Sequence, residues 1–218
     1  MNENLRDAWT SKVLADDYET HMAAIGQAQA NAALVSDYLR DAQLNRDASV
    51  LFAGAGTGQM FDFLPPSLFL PFQITFADIN AGYLQRLSAR LIDVPGLRFE
   101  ALLDDVENTA LQRSYDAVIA VLVLEHVDWK KAVASLCKLA ANKIFVVVQE
   151  NPPEPTASLT SSGQVPGTMN IFKTVHPALI PRLELETEFA QRGFFLSYSA
   201  HKIVAQNKKM LALRFLRA

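Results

Sequence analysis

The sequence predicts an α/β protein with a doubly wound, mostly parallel, seven-stranded sheet, a small helical N-terminal cap and an antiparallel C-terminal strand pair. Three observations predict it. Between residues 48 and 149, short apolar runs of β type alternate with segments of helical period, the pattern of βαβ units. A glycine-rich turn leads out of the first of these runs. Two final β-type runs, Phe194 to Val204 and Met210 to Arg217, are separated only by Ala205 to Lys209. A link that short requires a hairpin, because a parallel crossover needs about a dozen residues or more.

Trp9 to Tyr18 and Gly26 to Arg40 carry apolar residues at helical spacing, Leu34, Val35, Tyr38 and Leu39 among them, and residues 1–45 read as a helical cap. Strand one is Ser49 to Ala53. A short helix after the glycine turn must stop at Pro65-Pro66, where a backbone donor is lost. Strand two is Gln73 to Ala77. Asn80 suits the N-cap of the next helix, whose Leu84, Leu87 and Leu91 share a face. Strand three is Leu97 to Ala101. Strand four, Tyr115 to Val123, is nearly all apolar, as a strand covered on both faces should be. Lys130 to Ala140 forms a helix with Val133, Leu136, Cys137 and Ala140 inward, and Lys143 to Gln149 is strand five. Residues 150–176 break the pattern. Asn151 to Gly167 holds four prolines and two glycines, a long loop of the kind that usually serves function. Residues 177–218 close the fold with a helix near Leu183 to Arg192, ended by Gly193, and with the hairpin.

Bulk properties narrow the function classes. The 218 residues fit a single domain, half of them are hydrophobic and a fifth charged. A formal charge of -3 offers no basic footprint for nucleic acid. The lone Cys137 permits no internal disulfide and fits a reducing, cytoplasmic setting. Met1 to Thr10 has no apolar core of a secretory leader, and the longest apolar run, Ala117 to Leu124, is too short to span a bilayer. No membrane association is expected, and a monomer or homodimer would suit such a domain.

The chemistry concentrates in Val50-Leu51-Phe52-Ala53-Gly54-Ala55-Gly56-Thr57-Gly58. Glycines at alternate positions let the backbone turn sharply and approach a ligand closely. A helix start beyond them would offer free N–H groups to a carboxylate or phosphate. Asp78 stands twenty residues after Gly58, at the end of strand two. In doubly wound folds an acid there accepts hydrogen bonds from ribose hydroxyls, roughly 1.5–3 kcal/mol each. A nicotinamide dinucleotide fingerprint would place its third glycine at position 59, which is Gln.

The G-x-G-x-G spacing instead resembles that of the class I S-adenosylmethionine-dependent methyltransferases, a superfamily with a Rossmann-like sheet. The resemblance continues in Asp105-Val106-Glu107-Asn108, similar to the family's adenine-holding segment, with Asp104 as the neighbouring alternative. It continues again in Tyr115 to Ala120 followed by Val121-Leu122-Val123-Leu124-Glu125-His126, similar to the family's fourth strand and the L-E-H beside its cofactor. It implies a bound S-adenosyl-L-methionine, released as S-adenosyl-L-homocysteine, held by Gly54, Ala55, Gly56, Gly58, Asp78, Ile79, Asp105, Val106 and Val121. One position departs from the family: Phe52 stands where an acid usually helps to orient the methionine ammonium. Tyr18 and Gln59 are candidates to take its place.

Methyl transfer from a sulfonium asks mainly for alignment in a dry pocket. A base is needed only where the acceptor must lose a proton. His126 and His176 are the catalytic candidates, since an imidazole titrates near neutrality. His21 is a further candidate, and His201 reads as structural. Glu125 and Asp128 read as turn-shaping residues, and Trp129 as a packed helix start. Some RNA 3′-end relatives bind metal through an E-x-x-E-H stretch, but Leu122 replaces the first acid here, so no metal is expected. The sparse sequence outside the core suits a small-molecule acceptor. Met22, Ile25, Met169, Ile171 and Phe172 could line its pocket or belong to the core. A protein substrate, or a cofactor-binding module without catalysis, are the alternatives.

Overall fold

The computed structural model describes residues 3–150, 167–174, 176–204 and 208–218. Seven strands form one sheet: β1 Ser49–Ala53, β2 Gln73–Asp78, β3 Arg98–Leu103, β4 Tyr115–Val121, β5 Ala140–Glu150, β6 Phe194–Ile203 and β7 Lys209–Arg217. Their order is β3-β2-β1-β4-β5-β7-β6. The first five pair in parallel, and β7 runs antiparallel between β5 and β6. The hairpin and the mostly parallel sheet are therefore as the sequence predicts. The turn at 205–207 and most of the proline-rich loop, 151–166, lie outside the described residues.

The helices are α1 Glu3–Asp7, α2 Ala15–Ala24, α3 Gln27–Asp41, α4 Ala81–Leu91, α5 Trp129–Leu139 and α6 Arg182–Ala190. Alternation along the strands sends successive residues to opposite faces. Val50 and Phe52 join a core beneath α3 and α4, with Val35, Tyr38, Leu84, Leu87 and Leu91. Leu51 and Ala53 join the other core, beneath α5 and α6, with Val133, Leu136, Leu185 and Phe189. Helices on both faces make the sheet doubly wound. Cys137 is buried in this second core. Among the described residues, no helix is long and apolar enough to cross a membrane.

Several elements differ from the sequence expectation. The predicted helix from Trp9 to Tyr18 is broken: a π turn, Ala8–Lys12, follows α1, and Val13 and Leu14 are extended before α2. The segment after the glycine turn is not an α-helix but two 3₁₀ turns, Gln59–Phe63 and Pro66–Leu68. The prolines leave too few residues for a full α-helical ladder. Strand β4 stops two residues early, because Leu122 turns out of the sheet with φ 55° while its N–H still bonds Val147 O at 2.8 Å. Strand β5 starts three residues early, immediately after α5, where the Arg217 guanidinium binds the carbonyls of Cys137, Ala140 and Ala141.

Asn80 caps α4 as expected: its side-chain oxygen accepts the N–H groups of Gly82 and Tyr83 at 2.9 and 3.1 Å. Its Nδ2 also donates to the Trp9 carbonyl at 2.8 Å, which the sequence does not reveal. Asn80→Ala should therefore lower stability by about 1–2 kcal/mol through loss of the cap alone. Urea denaturation followed by circular dichroism checks this, and an unchanged midpoint would show that water replaces the cap at no cost.

Candidate functional site

The site forms at the carboxyl ends of β1, β2 and β4. The chain leaves β1 through Gly54 at φ 66° and Gly56 at φ 60°, a left-handed region that side chains resist. A Cβ on Gly54 would lie 2.3 Å from a Val123 methyl, so that glycine lets the β1 and β4 tips close together. A Cβ on Gly56 would meet only Tyr18, whose hydroxyl lies 3.7 Å away. The space over Gly56 is therefore bounded by the N-terminal cap and not by the sheet.

Asp78 holds this loop in place. One carboxylate oxygen accepts the Gly56 N–H and the other the Asn80 N–H, both at 2.8 Å. The residue is only 8% exposed. Burial raises its pKa, and backbone N–H groups of Asn80, Gly56 and Ile79 offset part of that rise. With three backbone N–H groups on its two oxygens, the carboxylate keeps room for one further donor. On the other side of the loop, the Arg90 guanidinium donates to Thr57 O at 2.6 Å and pairs with Glu19 and Asp62 at 3.0 and 2.9 Å. Sequence reasoning did not single out Arg90, because its partners lie on three separate segments.

The N-terminal cap covers these tips. Arg6 pairs with Asp105 at 2.5 Å, and the Tyr83 hydroxyl donates to Val13 O at 3.0 Å. Trp9 packs edge-on against Tyr18, Tyr83 and His126 and lies 4.9 Å from the Phe172 ring. Tyr18 stacks on Tyr83, and burial beside Asp78 pushes its hydroxyl up to about 12. Met169 and Phe172, read from sequence as pocket or core, are buried in a small cluster with Leu5, Ala8, Val13 and Tyr83. The turn that carries them, Gly167–Lys173, is tied to α2 by Thr168, which donates to Asp17 through its N–H and hydroxyl.

The other sequence candidates fall in different surroundings. Asp105 turns its own loop by accepting the Glu107 N–H at 3.0 Å, and Asp104 accepts the Ala110 N–H at 2.8 Å. Val106 packs on the second core, and Ile79 is half-buried. His126 lies against Trp9 with its Nδ1 enclosed and, among the described residues, without a hydrogen-bond partner, and burial pushes its pKa down to about 4. His176 is exposed, two residues before Ala178, whose N–H binds Glu125 O. His21 is half-buried on α2, and His201 is exposed in β6. Glu125 is 5% exposed, and one of its oxygens accepts the Gln149 N–H at 2.5 Å. It joins the end of β5 to the turn after β4, the shaping role expected of it. Asp128 caps α5 through the Lys131 N–H, and Trp129 starts that helix against the second core.

A small cleft, open to solvent, lies between the glycine loop, the end of β4 and the cap. Val121, Leu122, Tyr18, Met22 and Gln59 line it, together with Asn31 of α3, which sequence reasoning missed. Its one signal is a polar pair at helical spacing, Gln27 and Asn31, on an otherwise apolar face.

Residues 51–143 match a protein-family model described as a methyltransferase domain. No curated protein matches the chain. Among solved structures the chain is similar to the magnesium protoporphyrin IX methyltransferase of Synechocystis PCC 6803 with bound SAH, at TM-score 0.64 and 16% identity over 85% of this chain and 81% of that one. It is similar to the geranyl diphosphate C-methyltransferase of Streptomyces coelicolor A3(2), at TM-score 0.63 and 10% identity over 85% and 79%. It is similar again to a putative sarcosine dimethylglycine methyltransferase of Galdieria sulphuraria, at TM-score 0.64 and 12% identity over 85% and 83%. The shared architecture is the class I methyltransferase fold, antiparallel β7 included.

Glu125 and His126 give the site a testable pH signature. Burial raises Glu125 from 4.5 to about 7, so between those values the folded protein binds more protons than the unfolded chain and stability falls as pH rises. Burial lowers His126 from 6.5 to about 4, so between those values the unfolded chain binds more protons and stability rises with pH. The two slopes oppose each other from about pH 4.5 to 6.5. Glu125→Gln should leave stability rising with pH across that window, and His126→Gln should leave it falling. Urea midpoints at several pH values check this, and identical slopes in both variants would refute it.

Proposed function

We propose, from the premise that residues 51–143 form a class I, S-adenosylmethionine-dependent methyltransferase domain, that the protein methylates a small-molecule acceptor at oxygen, nitrogen or carbon by in-line displacement. The observation that carries this reading is the Asp78 to Gly56 bond: it fixes a side-chain-free bend one strand away from a buried carboxylate with room for one more donor. A nucleoside whose ribose offers a hydroxyl suits that pair.

The residues fit the cofactor in one arrangement. Asp78 would receive a ribose hydroxyl, Asp105 and Val106 would flank the adenine, and the Gly54–Gly58 backbone with Val121 would border the methionine end. The strand order β3-β2-β1-β4 lays these positions in a row. When bound, S-adenosylmethionine supplies a methyl group already activated by positive sulfur. The chain's own contribution is then alignment and the exclusion of water. Trp9, Tyr18 and Phe172 form an apolar cover for this purpose. Arg6 holds Asp105, and Tyr18 stands over Gly56, so admission of the cofactor requires the N-terminal segment to shift outward. The neutral imidazole of His126 can accept a proton only once Trp9 moves from its face.

The small-molecule acceptor is supported by the neighbours, whose names specify a porphyrin, a prenyl diphosphate and small amines as their acceptors. Phe52 favours a second reading, a cofactor-binding module without catalysis. Its ring is packed among Phe61 and Phe76, and it brings no carboxylate to the methionine end. Release of S-adenosylhomocysteine, measured with a panel of small acceptors and with peptide substrates, separates these readings.

Gly56→Val should abolish cofactor binding by placing a branched side chain in the approach path, as judged by calorimetry. Unchanged affinity in that variant would remove the glycine loop from the site. Asp78→Ala should weaken binding about tenfold or more, and should also lower the thermal midpoint because Gly56 and Asn80 lose their acceptor. A lower midpoint with intact affinity would leave Asp78 a purely structural role.

A further inference from the structure

We infer that Asn31 of α3, with Gln59 beside the glycine loop, takes over the role of the missing acid at position 52 and receives the α-ammonium of the cofactor's methionine end. The inference rests on the proposed binding of S-adenosylmethionine and adds this chain's own residues to it. Asn31 is 6% exposed, and its side-chain oxygen is enclosed without a hydrogen-bond partner among the described residues. The Gln59 side-chain oxygen is likewise enclosed and unpartnered, while its Nε2 donates to Glu19 O at 3.0 Å. Both residues line one cavity, together with Phe52 and the glycine loop.

Two buried amide oxygens without partners carry a desolvation cost that a ligand donor would remove. Their position identifies the donor. With the adenine at the β3 tip and the ribose at the β2 tip, the far end of the ligand lies over β1 and β4, where α3 crosses. An ammonium there has three N–H donors and no acceptor. Among the described residues the lining carries no charged side chain, so neutral oxygens must do what a carboxylate would otherwise do. Residue 52 cannot contribute, because its ring belongs to an aromatic cluster with Phe61 and Phe76. The cavity wall beside these oxygens includes Leu122, held at φ 55°. Backbone strain of that kind concentrates at ligand sites.

The test compares two ligands by calorimetry: S-adenosylhomocysteine and its analogue lacking the α-amino group. The wild-type protein should prefer the first. Asn31→Ala should lose about tenfold or more in affinity for S-adenosylhomocysteine and keep its affinity for the deaminated analogue. Asn31→Asp, nearly isosteric, should bind S-adenosylhomocysteine at least as tightly as wild type, since it restores a carboxylate. Gln59→Glu provides the same comparison at the second amide, and thermal midpoints establish that each variant is folded. Equal losses for both ligands, no loss in Asn31→Ala, or weaker binding in Asn31→Asp would overturn the inference while leaving the cofactor assignment intact. A folded wild-type protein that binds neither ligand would overturn the cofactor assignment itself.

Discussion

The Asp78 carboxylate is the constraint on which the rest of the site depends. It is enclosed at the tip of β2, and enclosing a charge is costly unless donors compensate. The donors are the N–H groups of Gly56 and Asn80. The first locks the left-handed bend after β1, and the second fixes the residue that starts α4. Asn80 then passes the constraint outward, holding the first turn of α4 with its oxygen and the Trp9 carbonyl with its nitrogen. Three residues, 78 to 80, thus set the relative positions of a loop, a helix and the cap.

The cap is attached differently. At its rim are ion pairs with exposed partners, such as Arg6 with Asp105 and Arg86 with Asp16. Pairs of that kind contribute little. Its centre is aromatic, with Trp9, Tyr18, Tyr83, His126 and Phe172 in mutual contact. Such an attachment suits a cover that must exclude water when closed and release when a ligand arrives. The sheet beneath it, with its apolar β1, β4 and β5 buried on both faces, has no comparable freedom.

Glu125 and His126 show how one dipeptide serves the scaffold and the site separately. Glu125 turns inward, takes the Gln149 N–H, and offers its carbonyl to Ala178. It joins the end of β5 to the chain leading into α6. His126 faces the cap and packs on Trp9. Burial opposes charge on both, which moves an acid and an imidazole in opposite directions. Between about pH 4 and 7 both side chains are therefore mostly uncharged, and the imidazole is available as an acceptor once uncovered.

The sheet was legible in the sequence. Its central strands β1, β4 and β5 are mostly apolar, α4 and α5 have single apolar stripes, and the link between β6 and β7 is too short for anything but a hairpin. Gly54 and Gly56 were legible because backbone geometry demands glycine at such a bend, whereas the bonds by which Asp78 holds Gly56 and Asn80 appear only in the fold. The proline pair predicted where the post-glycine segment stops, but not that so short a segment would form 3₁₀ turns. The early end of β4 depends on Leu122 leaving the sheet so that Val123 can close against Gly54. Asn31 was invisible for a related reason. A polar residue on a helix face has no stated purpose until that face is laid over a particular loop. Local periodicity and turn chemistry act between near neighbours and can be read along the chain. The aromatic cover and the unpartnered amides bring together residues far apart in sequence, and only packing decides which of them meet.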